Sequence, residues 1–195
     1  PIALERYLGE RDAGRLLVFC DEAAEIADPL AALKAAKTDG AGIDVLIVQG
    51  NHDPLEDGFA FGSTLPPRVT LFGSQEVASH QIRRGDSVLA TVHGISYQRR
   101  EMRENLAQRF HRRGEGFEVG LLHAALTGSA QGHAPYAPCT IDDLRAAQLD
   151  YWALGHIHAR QTLGDAAPWI VYPGNPQGRS FKPSERGAKG AVLVE

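Results

Sequence analysis

The chain has 195 residues, 43% of them apolar and 23% charged, with a formal net charge of -4. That balance suits one globular domain and excludes a low-complexity chain or one that coats nucleic acid by bulk charge, while a local basic track stays open. Cys20 and Cys139 are too few for a disulfide framework, and no apolar run exceeds strand length, so the expectation is a protein outside the membrane in a reducing cytoplasm.

In chain order, a helix is expected over 2–10, then a strand over 15–20 (RLLVFC) ending at Asp21, and a helix over 29–38. Strands follow over 44–49 (DVLIVQ), 69–72 and 87–93 (SVLATVH). These runs are rich in Val, Ile and Leu and are bounded by Gly, Pro or Asp, as strands are. Over 99–113, Met102, Leu106 and Phe110 recur every four residues and predict a helix with one apolar face. A strand over 117–122 (FEVGLL) comes next, then a helix over 140–148 with Thr140 as N-cap and Asp143 at N3, resembling a capping box. Strands over 151–155 (YWALG), 169–172 (WIVY) and 190–195 complete the series. The mixture predicts a layered α/β domain. There is no internal repeat or long linker, so 1–195 reads as a single domain.

Polar residues fall where the strands end. Gly50-Asn51-His52-Asp53 follows an apolar run, His123 closes "GLLH", and His156 and His158 stand two apart in "GHIH". Strand ends in layered α/β folds carry sites, because the sheet fixes the backbone there. Alone, each motif has a plain reading: GNHD as a turn, one His as a hydrogen-bonded loop residue. Together and in this order they point to a metal site, since imidazole with Asn or Asp oxygen suits Mn, Fe, Zn or Ni.

"GNHD", "GLLHA", "YWALGHIHAR" and "VYPGNPQGRSFKPSERGAKGAVLVE" resemble the calcineurin-like metallophosphoesterases, and within them the DNA-repair exonucleases of the SbcD type. The resemblance runs from about residue 43 to the end. It implies an α/β/β/α sandwich with two divalent metal ions at the strand ends, usually Mn2+, with Mg2+, Fe or Zn as alternatives. Asn51, His123 and His156 would hold one metal and His158 the other. His52 would lie just outside, steadying the transition state or protonating the leaving oxygen. Two metals clamp a phosphodiester and activate a water as nucleophile. The implied function is a metal-dependent phosphodiesterase, an exonuclease or endonuclease on DNA, with an SMC-like ATPase as partner. A small-molecule phosphatase or phosphodiesterase and a non-catalytic binding module are the alternatives.

The family's early D-x-H motif is absent from this sequence. Asp21, after an apolar run but preceded by Cys20 where the family has Gly, stands where the family's metal-bridging Asp would be; it reads equally as a strand-end acid. On that alignment the strand carrying D-x-H is expected before Pro1, and a capping region after Glu195. Asp53 reads either as an orienting acceptor or as a turn residue. The six arginines of 99–113 read as a solvated face or a DNA track. Arg179, His133 and Tyr136 are candidate substrate contacts, on loops that also read as connectors. His93 is read as structural and His80 and His111 as surface residues.

Overall fold

The computed structural model describes residues 44–57, 65, 67–127, 136–176, 178, 180–183 and 186–194. The expected helices over 2–10 and 29–38 and the strand over 15–20 lie outside them, as do Asp21, His133 and Arg179.

Two sheets form. The smaller pairs β1 (Val45–Ile47) with β2 (Val69–Leu71) in parallel. The larger has six strands: β3 (Ala78–Arg84), β4 (Ser87–Ile95), β5 (Glu118–His123), β6 (Tyr151–Gly155), β7 (Gln161–Leu163) and β8 (Trp169–Tyr172). Their order is β3-β4-β5-β6-β8-β7. β4, β5, β6 and β8 run parallel, and β3 and β7 close the edges antiparallel. All six residues of β5 are buried, which explains why the parallel centre reads as continuous apolar runs.

The period of two in each central strand divides its side chains between two cores. Val92, Val119, Leu121, Tyr151, Ala153 and Val171 pack with Leu46 and Phe72, joining the large sheet to the small one. The alternate residues, Leu122, Trp152, Leu154, Ile170 and Tyr172, pack with Leu144 of α1 (Ile141–Ala146) and with Met102, Leu106 and Phe110. Sheet on sheet with helical structure on the outer face is the expected α/β architecture.

Three expectations are corrected. The segment 99–113 is not an α-helix; it holds only a 3-10 turn over Leu106–Arg109. Met102, Leu106 and Phe110 are buried as their spacing predicts. Tertiary bonds hold the chain instead: Ala137 N–H donates to Met102 O, Arg109 reaches Gln75 O, and Arg112 reaches the carbonyls of Gln148 and Gly116. Residues 190–194 form no strand, although Val192 packs on the inter-sheet core. The predicted helix over 140–148 is confined to α1, with the capping box present: Thr140 Oγ1 accepts from Asp143 N, and Asp143 accepts from Thr140 N.

Candidate metal centre

Three strand ends meet. Asn51 follows β1, His123 is the last residue of β5, and His156 follows β6. All three are buried. Asn51 Oδ1 lies 2.8 Å from His123 Nε2, and His156 Nδ1 lies 3.3 Å from the same nitrogen. The site thus bridges the two sheets, with Asn51 from one and both imidazoles from the other.

The neighbouring loops hold these side chains. Tyr97 N–H donates to Gln49 O (2.9 Å), Gln49 N–H to Ser96 Oγ (3.0 Å), and Leu55 N–H to Tyr97 O (3.1 Å), so the GNHD loop is clamped to the chain leaving β4. Asp53 Oδ1 accepts from Gly50 N–H at 3.0 Å and closes the turn that presents Asn51 and His52. Gly50 is required by close approach: a Cβ there would fall 2.5 Å from His123 Nδ1. Tyr97 packs edge-on to His123, with ring centroids 5.3 Å apart, and Tyr136 meets His156 at 5.9 Å. Tyr136 is brought there because Ala125 N–H donates to its carbonyl (3.0 Å). Leu126 bridges Cys139, and the Tyr172 hydroxyl ties Ala124 O and Leu126 N to β8. Burial pushes the Cys139 thiol up to about 12, and its side chain packs in the hydrophobic core.

Of the other sequence candidates, His52 is exposed on the same turn, and His158 is half-buried two residues beyond His156. The His158 carbonyl accepts from Asn175 N–H (3.3 Å) and Lys189 Nζ (3.0 Å). His93 stands apart at the β3–β4–β5 contact, with Ser79 Oγ 2.9 Å from Nδ1 and Glu118 Oε2 3.2 Å from Nε2. Desolvation lowers its pKa despite the opposing pull of Glu118, and its place between strands is structural. The arginines of 99–113 are mostly engaged: Arg100 with Asp57, Arg103 with Glu101, Arg109 with Glu104, Arg112 with Asp150, and Arg113 with Ser79 and Val77 O.

Sequence reasoning missed Gln49, Tyr97 and Asn175, all buried around the site. Among the described residues neither amide atom of Gln49 has a hydrogen-bond partner, a cost of about 1–3 kcal/mol one residue before the donor loop. A polar residue ending an apolar run was the available signal for Gln49; Tyr97 and Asn175 carried none.

The donor set fits a cation. Ligand atoms about 2.1 Å from one ion stand roughly 3.0–3.4 Å apart, close to the Asn51–His123–His156 spacings. No cluster of three or more His, Cys, Asp or Glu side chains gathers among the described residues, so the described centre is two imidazoles and an amide oxygen. That mixed N/O set suits a borderline to hard divalent ion.

Comparison with known proteins places the chain in a family. The calcineurin-like phosphoesterase superfamily domain matches residues 3–193. The chain is 43% identical over 154 residues, 78% of its length, to an uncharacterised metallophosphoesterase, YhaO, of Bacillus subtilis strain 168. The match spans 37% of that relative's length.

Proposed function

Because the chain belongs to the calcineurin-like phosphoesterase superfamily, we propose that it is the catalytic part of a metal-dependent phosphodiesterase that cleaves DNA, a nuclease of the repair type. The observation that carries this reading is that Asn51 from one sheet and His156 from the other both reach His123 Nε2, at 2.8 and 3.3 Å. These residues would hold one divalent ion and His158 a second, with Asp21 as a ligand shared by both; Mn2+ is the proposed metal. When bound, such ions polarise the phosphoryl oxygens and make water a competent nucleophile at neutral pH.

The chain's own residues do the rest. The Asp53–Gly50 turn fixes the backbone of His52 and leaves its ring exposed beside the donor trio. A positioned imidazole N–H can donate a proton, so His52 is suited to protonate the leaving oxygen. Tyr97 and Tyr136 brace the two buried imidazoles and keep them from rotating away. The exposed face of Tyr136 is a proposed substrate contact, as are His133 and Arg179. The proposed partner is an SMC-like ATPase, by family resemblance.

Replacing His52 by Ala tests the assignment. Turnover of a small phosphodiester such as bis-p-nitrophenyl phosphate with Mn2+ should fall by about 10²–10⁴-fold, with metal content unchanged by mass spectrometry. If metal is lost along with activity, His52 is a ligand and not the acid.

A further inference from the structure

The loop leaving β8 is pinned at both ends to one atom. Asn175 N–H near its start and Lys189 Nζ near its end both donate to the His158 carbonyl, at 3.3 and 3.0 Å. Gly174, with φ of 75°, packs so closely that a Cβ would lie 2.7 Å from the same oxygen. Between these anchors stands Phe181, 89% exposed and the most exposed large hydrophobic residue among the described ones. Its backbone is held: Arg186 Nε donates to Phe181 O at 2.7 Å, and Arg186 N–H to Pro183 O at 3.2 Å. The ring is therefore presented to solvent by a fastened backbone.

Its surroundings are basic. Lys182 is the neighbour of Phe181 in the chain and Arg186 is bonded to its carbonyl, two cations in a chain whose net charge is -4. A purely apolar partner has no use for these cations, and a phosphate ester without a ring has no use for an aromatic face. A free ring among cations is the arrangement that binds single-stranded nucleic acid, where bases stack and phosphates pair with Lys and Arg.

We infer that Phe181 stacks on a base of a single-stranded polynucleotide and, with Lys182 and Arg186 on neighbouring phosphates, positions the strand end at the His158 side of the metal centre. This rests on the phosphodiesterase reading above and names its substrate form. Stacking of one base on an aromatic ring is sequence-tolerant, so the contact selects unpaired strands and not a base order.

The test measures binding of a fluorescein-labelled oligothymidylate by anisotropy, in chelator so that nothing is cleaved. Phe181→Ala should weaken binding about 5- to 150-fold and leave the slope of log affinity against log salt unchanged. Phe181→Trp should restore binding, and its indole fluorescence should be quenched as oligonucleotide is added. Lys182→Ala should instead lower the salt slope by about 1. Binding by Phe181→Ala within twofold of wild type overturns the inference, as does failure of Phe181→Trp to rescue. If the wild type hydrolyses bis-p-nitrophenyl phosphate with Mn2+ but does not bind the oligonucleotide, only this inference falls. If it does neither, the phosphodiesterase reading falls with it.

Discussion

At the scale of single residues, His156 shows how the fold holds a ligand-like side chain in place. Its φ is 103°, a conformation in which an L side chain crowds its own backbone. Such a residue costs of order 1–3 kcal/mol and persists only where its surroundings enforce it. Here the enforced backbone puts Nδ1 3.3 Å from His123 Nε2. The strain can be separated from the loss of the ring by comparing two variants. His156→Ala and His156→Gly both delete the imidazole, and both should lose metal affinity. Glycine relieves the backbone, so the Gly variant should be more stable than the Ala variant by about 1 kcal/mol or more in urea denaturation. Equal midpoints would mean that the conformation is not strained.

At the scale of elements, α1 and the 3-10 turn over Leu106–Arg109 are joined by one carboxylate. Asp143 accepts from Thr140 N and Oγ1 in the cap and from Asn105 Nδ2 and Gln108 Nε2 across the junction. These hydrogen bonds, from the Thr140 hydroxyl first and then from Gln108, hold its pKa well below the usual carboxylate range. A depressed folded pKa contributes stability that is present above the unfolded value near 4 and is lost as pH falls through the folded one. Asp143→Asn should therefore cost roughly 1 kcal/mol at pH 7, and the gap from wild type should shrink steadily below about pH 4. A gap constant with pH would show that the charge is not what the cap uses. The capping box is legible in "TIDDL" because its signals are local. The four-residue spacing of Met102, Leu106 and Phe110 is legible as burial but not as conformation, since the bonds that shape this segment come from Gln75, Ala137 and Gln148. β3 is not legible at all. It is an edge strand with most residues exposed, so "ASHQIRR" has no apolar alternation to read.

At the scale of the whole molecule, what is legible is the clustered trio of candidate ligands, and what is not is its support. Asn51, His123 and His156 stand out because polar residues end apolar runs. Tyr97 and Asn175 look ordinary in sequence, and only the packing of the β4 and β8 loops brings them in. The trio also spans two sheets that otherwise meet through the apolar layer of Leu46, Phe72, Val92, Leu121 and Val171. A cation shared by Asn51 beyond β1 and by His123 and His156 at β5 and β6 would therefore cross-link the sheets and not merely order a loop. Ligand that binds only the folded state stabilises by about 2.7 kcal/mol at a hundred times its Kd, which for a chain of this length raises Tm by roughly 5–10 °C. Mn2+ should produce such a rise in the wild type and chelator should reverse it, while His123→Ala should abolish it. Hydrogen exchange should slow in β1 and β2 together with β5 and β6 when the metal is added. Protection confined to residues 50–53 would mean that the metal orders the turn alone and that the sheets hold together without it.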